Sequence, residues 1–462
     1  MKARDGWLYR PVWLVLVGAA VCGADTQYYA AYDMFVGDVI STARWSFYAY
    51  YTYFRNMQAS AGGTLPAGLI YITEHHGAPE VEAWTGYFRG TVTATPSLPE
   101  TYHHTVLLHY EQWEWSNPPE QQWDNVTDTY HTRLRVDEHA NTPGDTAHLS
   151  TLPVQTAWSE NSGWVNGHLY PGEQFGEQLL PADVDVFRVD TGKGVYCVET
   201  EANLDLTAPA LQIEVYKKAA GDDAYDGEWI ARTNDYNLFD DNGNVHRRRQ
   251  RVYFTLDNNN GTYVRITPGE SINPRTYKLR IFRTRPVILV HGINAPPTEA
   301  GPNQPEDPNT SFGDMRDYLG YFANIHPCVC YDFPWWSNHP SSRGFKYYVG
   351  TDRENKTTLY GYLYDKVVNV HKDFPANVIL HSMGGFVVRF SLANPLFANK
   401  VNRVIFINSP QYGSDLANFL DRGPGANEIV NAIPFIGLIL VMLTCGICAA
   451  EATLFGKWPI SP

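Results

Sequence analysis

The hydroxyl with the strongest setting for chemistry in this sequence is that of Ser382, in the run Leu380-His381-Ser382-Met383-Gly384-Gly385. A short apolar strand, Val378-Ile379-Leu380, precedes it, and the pattern predicts a helix over 383–393 after it. A sharp strand-to-helix turn lifts a serine Oγ clear of a sheet, and small residues behind it let the helix approach the strand. The Met383 amide then leaves a helix N-terminus, where donors lack partners and the dipole favours negative charge. Such a corner suits acyl transfer, in which an oxygen attacks a carbonyl and main-chain hydrogens hold the oxyanion. A second motif, Val290-His291-Gly292-Ile293, lies 91 residues earlier, also at a strand end, and its Ile293 amide offers a second donor. A third, Asn408-Ser409-Pro410-Gln411-Tyr412-Gly413-Ser414, follows an apolar strand at 404–407.

Strands and helices must alternate for these motifs to meet, and from Arg285-Pro286 onward they do. Residues 287–290 form a continuous apolar run, as expected for a strand buried on both faces of a parallel sheet. The pattern then predicts a helix at 311–322, a strand at 328–333 and a helix at 358–371, with Leu359, Leu363, Val367 and Val370 at helical spacing. The helix at 383–393 is stopped by Pro395. In such an α/β arrangement the loops after parallel strands gather at the carboxyl edge, where ligands bind.

Together the three motifs resemble the α/β-hydrolase superfamily, within it the lipases and esterases, over about 285–420. The resemblance implies that Ser382 is the nucleophile and that Ile293 and Met383 line the oxyanion hole. It makes His291, Gly292, His381, Gly384 and Gly385 supporting residues: His291 orients the oxyanion loop and His381 packs beside the turn, neither acting as general base. It implies hydrolysis of a hydrophobic acyl ester through an acyl-enzyme, with no metal or organic cofactor. Leu380 replaces the superfamily's first turn glycine, which implies a shifted backbone or a wider gap between strand and helix.

The general base is the missing part. All fifteen histidines precede Met383, whereas the superfamily places its acid and then its histidine after the serine. A serine without an adjacent base is a poor nucleophile at neutral pH. We therefore expect 285–462 to be a hydrolase domain lacking its last strands, with 404–407 left as an exposed apolar edge. The alternatives are a non-catalytic cell-surface binding protein with a degenerate hydrolase domain, or a base relocated to His326, His339 or His371. The apolar run 432–450 is read as a lid or buried cap; a membrane or lipid-surface contact is the alternative. Phe333-Pro334-Trp335-Trp336 adds to the expectation of a hydrophobic substrate.

Upstream, 25–285 is mostly period two with frequent Gly, Pro and Asn breaks. Strands are predicted at 91–95, 105–110 and 132–136, and an aromatic-rich stretch at 32–58 is a candidate helix within a β-rich domain of 25–170. The run 178–284 opens with Asp183-Val184-Asp185-Val186-Phe187-Arg188-Val189 and closes with Thr276-Tyr277-Lys278-Leu279-Arg280-Ile281. Its order of short strands resembles the bacterial pre-peptidase C-terminal domain, which implies a β-sandwich. The acidic turn Asp240-Asp241-Asn242-Gly243-Asn244 departs from that pattern and is read as a solvated loop.

Composition agrees with an exported protein of several domains. With 44% apolar and 18% charged residues, the 462-residue chain buries real cores, which excludes wholesale disorder and coiled coil. Residues 1–24 read as a signal peptide: basic residues, an apolar core at 12–21, then Cys22-Gly23-Ala24. The net charge of -14 disfavours nucleic acid as a partner. Cys445 and Cys448 sit in an apolar run without histidine and are not read as a metal site, and Cys328 and Cys330 are expected to stay unbridged. The fold class expected is N-terminal all-β, in β-sandwich modules, followed by an incomplete α/β-hydrolase domain with a mostly parallel sheet, secreted or held at the cell surface.

Overall fold

The computed structural model describes residues 27–50, 54–75, 81–93, 101–114, 122–176, 178–202, 211–221, 223–233, 249–292, 312, 315–322, 325–333, 349–382 and 384–409. Among these the protein is mostly β, in several sheets. It divides into two units: 1–286 with 314–330 and 366–374, and 287–313 with 331–365 and 375–462.

The first unit opens with two sheets. One orders Gln27–Phe35, Gln122–Asp137, Thr101–Glu114 and Phe54–Gly63; the other orders Val39–Tyr50, Val81–Thr91 and Leu69–His75. Met34, Tyr102, Leu134 and Val136 of the first pack with Ile40, Leu69 and Phe88 of the second. Strict alternation buries Tyr102, His104, Val106 and Leu108 while His103 faces solvent, as period two requires. No helix occupies the described part of 32–58. Val39–Tyr50 is a strand paired with Val81–Thr91 from Val39↔Thr91 to Tyr50↔Val81, because its aromatic and β-branched residues suit a pleated surface better than a helix. The strand expected at 91–95 ends at Thr91. Val92 exchanges backbone bonds with Gly37 and Asp38 instead of continuing the ladder.

The second half of this unit is a β-sandwich. One sheet orders Val165–Leu169, Arg275–Arg283, Gly194–Ala202 and Arg249–Leu256; the other orders Tyr225–Arg232, Gln212–Lys218, Thr262–Thr267, Asp185–Val189 and Ser150–Thr151. Val198, Val252, Phe254, Leu279 and Ile281 of the first meet Phe187, Ile213, Val215, Val264 and Ile266 of the second. The sandwich therefore recruits strands before 178, among them Val165–Leu169 paired with Arg275–Arg283. Those pieces are too short, and too broken by Gly and Pro, to show a period. Within the sheet, Glu199 accepts from Arg251 Nε at 2.7 Å and from Arg280 Nε at 2.9 Å, all three side chains being buried. Arg251 also donates to the carbonyls of Gly320 and Ile325, tying the segment after Met315 to the sandwich. Burial opposes ionisation of Glu199, but the two guanidiniums outweigh it and hold its carboxyl below the ordinary range.

A four-stranded sheet is ordered Cys328–Asp332, Arg285–Val290, Ala376–His381 and Val401–Ile407, the last two strands lying wholly in the second unit. The last three run parallel, in register Val290↔Leu380 and Leu380↔Phe406. Helix Leu359–Tyr364, capped by the Thr358 hydroxyl on the Gly361 amide, continues as a π-helical turn, Asp365–Val370. Helix Gly384–Leu392 follows the third strand. Pro395 does not merely stop it but begins a short helix, Pro395–Ala398, whose N-cap is Asn394. Among the described residues Val401–Ile407 takes an edge position, with Ile405 49% and Phe406 41% exposed. Cys328 and Cys330 are buried and form no disulfide. Among the described residues no helix is long and apolar enough to cross a membrane.

Candidate functional site

The three motifs come together at the carboxyl edge of the parallel sheet. Because Val290 pairs with Leu380 and His381 with Ile407, the chain leaves all three strands at one level. Ser382 turns there with φ +52°, a left-handed conformation that side chains other than those of Gly, Asn and Asp seldom adopt. Its amide donates to the Ile407 carbonyl at 3.0 Å, and its carbonyl accepts from the Gly385 amide at 3.2 Å, so both sides of the bend are fixed. Asn408, the equivalent residue one strand over, has φ +45°.

Two glycines make this corner possible. A Cβ on Gly292 would lie 2.8 Å from Ser382 Cβ and 3.4 Å from Ser382 Oγ, so the His291-Gly292 backbone runs directly against the serine side chain. A Cβ on Gly384 would lie 2.6 Å from the carbonyl oxygens of both Val290 and His291, so the start of the helix sits on that same backbone. Ser409 approaches Gly385 closely from the third motif, and the Leu380 side chain packs beneath the same glycine. Leu380 is fully buried. The bulk expected to disturb the turn thus points into the core, on the side that Gly385 leaves open.

Burial lowers the pKa of each of the four described histidines that bear on the missing base, His291, His326, His371 and His381. His291 is buried, its Nδ1 2.9 Å from the Gly292 carbonyl, and burial lowers its pKa. His381 is half-buried beside Gly292, its Nδ1 without a hydrogen-bond partner, and burial lowers its pKa as well. His326 and His371 belong to the first unit. His326 Nε2 meets the Arg283 carbonyl at 2.8 Å and His371 Nδ1 the Thr284 carbonyl at 3.1 Å. Burial pushes both down to about 4, and a base with that pKa abstracts a serine proton poorly. Among the described residues no hydrogen bond joins a histidine to the Ser382 hydroxyl.

Outside the described residues lie Ile293, Met383, His339, Trp335 and Trp336, 410–414, Asp240 to Asn244, Cys445 and Cys448, the run 432–450 and the segment 1–24.

One group of side chains escaped the reading of the sequence, which placed no metal. Asp137, Asp183 and Asp185 are 2%, 7% and 0% exposed, and each offers an oxygen within 4.8 Å of the others. Asp137 ends the strand Gln122–Asp137, and Asp185 opens Asp185–Val189. Burial, and then the neighbouring carboxylates, push Asp137 and Asp185 well above the ordinary carboxylate range. The legible half of the signal is Asp183-Val184-Asp185, two acids two residues apart where a strand begins; nothing local announces the third.

No protein-family model and no curated protein matches this chain. Among solved structures, the C-terminal domain of the AgI/II polypeptide BspA of Streptococcus agalactiae is 10% identical over 52% of this chain and 75% of its own, at a TM-score of 0.11. The extracellular cadherin domains 1–5 of protocadherin gamma B2 are 9% identical over 62% and 67%, at 0.15. The cadherin-like domains 1 to 4 of zebrafish RET are 10% identical over 52% and 43%, at 0.14. Likenesses at these scores carry no argument about descent or activity, and they assign the chain to no family.

Proposed function

We propose that this protein is an exported serine hydrolase of lipase or carboxylesterase type, acting through an acyl-enzyme on Ser382. The observation that carries the reading is the left-handed serine at a strand-to-helix corner, with the Gly292 backbone against its side chain. A bend of this kind stores strain of about 1–3 kcal/mol, which persists where the surroundings over-determine it. In the proposed reaction Oγ attacks the carbonyl carbon of a hydrophobic ester and the carbonyl oxygen becomes an oxyanion. The amides of Ile293 and Met383 hold that oxyanion, the alcohol leaves, and water releases the acid. The proposed triad is completed by an acid and a histidine; Asp415, Asp421, Glu428 and Glu451 follow Ser382 in this sequence, and no histidine does. A module covering 285–462 would then be the catalytic one, and the β-sandwiches its exported companions.

A fluorophosphonate probe tests this. Labelling of the folded protein that disappears in Ser382→Ala supports the reading, as does turnover of long-chain p-nitrophenyl esters. The rival, a non-catalytic surface-binding protein, is favoured by the engagement of His326 and His371 with backbone carbonyls. It forecasts no labelling of well-folded protein even when the reading frame is extended past position 462.

A further inference from the structure

We infer that Asp137, Asp183 and Asp185 form a binding site for one calcium ion, which clamps the end of the first β module to the sandwich strand Asp185–Val189. The inference does not depend on Ser382.

Several donors reach the carboxylates, and with its side-chain amide flipped Asn141 adds one, 3.2 Å from Asp183 Oδ1. Asp183 Oδ2 accepts from the Tyr170 amide at 3.3 Å and Oδ1 from the Val184 amide at 2.9 Å. Asp137 Oδ1 accepts from the His139 amide at 3.0 Å. Asp185 Oδ2 accepts from the Tyr277 hydroxyl. Asp185 Oδ1 is different: it is fully buried, in a side chain with 0% exposure, and has no hydrogen-bond partner. A buried carboxylate oxygen with no donor, set among two more carboxylates, needs a positive charge or a proton.

The chemistry of the donors selects the ion. All three ligands are carboxylate oxygens, which suit hard cations and disfavour zinc or copper, whose sites draw on His and Cys. Calcium binds oxygens at about 2.3–2.6 Å, and the three oxygens offered here all lie within 4.8 Å of one another, close enough for one ion to bridge them. Magnesium binds at about 2.0–2.1 Å, keeps several waters, and fits a dry three-carboxylate cluster less well.

The position gives the ion its role. The backbone passes from the first module to the sandwich just here: the Tyr170 hydroxyl donates to the Val136 carbonyl at 2.9 Å, and the Val186 amide to the Ala140 carbonyl at 2.7 Å. Asp137 arrives on the first module's strand and Asp185 on the sandwich's, so an ion held by both adds a cross-link to the hydrogen bonds and to the His168–Glu138 contact already there.

The test uses the full chain, stripped with a chelator and titrated at neutral pH with calcium by calorimetry, and with terbium by luminescence sensitised by Tyr170 and Tyr277. The expected result is one site per chain, a melting temperature that rises with calcium, and at least a tenfold loss of affinity in both Asp137→Asn and Asp185→Asn. The double variant Asp240→Asn/Asp241→Asn keeps full affinity, which separates this site from the acidic turn. Where one single variant fails to fold, the other decides. The absence of calcium heat and terbium emission from folded protein overturns the inference and leaves shared protons between the carboxyls. Binding unchanged in a folded Asp137→Asn or Asp185→Asn overturns it equally.

Discussion

The sandwich sheet and the parallel sheet distribute their side chains in opposite ways. The first buries Glu199, Arg251 and Arg280 completely or nearly so, and the second turns Ile405 and Phe406 outward on an edge strand. The buried charges are tolerated because each finds several partners: two guanidiniums on one carboxylate, and backbone carbonyls for the remaining N–H groups. The exposed apolar pair lies on a strand that, among the described residues, has a neighbour on one side only. Polarity alone therefore does not say what is inside. Satisfaction of hydrogen bonds and position in the strand order do.

The largest effect expected is at the buried trio. Glu199→Ala leaves two guanidiniums without their carboxylate and should cost about 3–5 kcal/mol in urea unfolding. Its pH dependence has a definite sign. The folded carboxyl titrates below its ordinary value of 4.5, so its contribution is full above that pH and fades as the pH falls through the folded value. The gap between wild type and Glu199→Ala should therefore narrow in acid; a gap that widens contradicts the assignment. At the serine corner, Gly384→Ala forces a methyl against two backbone oxygens and should cost about 1–3 kcal/mol. It should also abolish fluorophosphonate labelling if Ser382 is the nucleophile. Ser382→Gly removes the left-handed strain and should stabilise the protein by up to about 1 kcal/mol while labelling is lost. A destabilising Ser382→Gly would mean that the bend is not strained. The smallest effect is at the edge strand: Ile405→Lys should change stability by no more than about 0.5 kcal/mol. Its consequence should be less self-association in light scattering. Should Ile405→Lys cost as much as Glu199→Ala, the contrast between the two sheets fails.

The serine corner was readable because its parts are local. The apolar run at Val378-Ile379-Leu380, the serine and the two glycines lie within a few residues of one another, and strand-then-helix periodicity frames them. That Gly292 lies against Ser382 was implied only by the order of motifs, and the left-handed φ of Ser382 by none of its neighbours. The first module was less legible. Aromatic residues crowd the end of Val39–Tyr50, at 45, 47, 48 and 50, and what settles it as a strand is its pairing with Val81–Thr91. The sandwich boundary was misplaced for a similar reason, since pairs such as Ser150–Thr151 and Val154–Gln155 are two-residue strands held by neighbours distant in sequence.

The residue order alone determined where strands and helices alternate and which serine sits between them, because periodicity and turn chemistry act over a few adjacent positions. Only the tertiary structure decided which acids share a site and which charges share a core. Asp137 meets Asp183 and Asp185, and Glu199 meets Arg251 and Arg280, through strand order and register. Those are set by the burial of whole sheet faces rather than by any short stretch of chain.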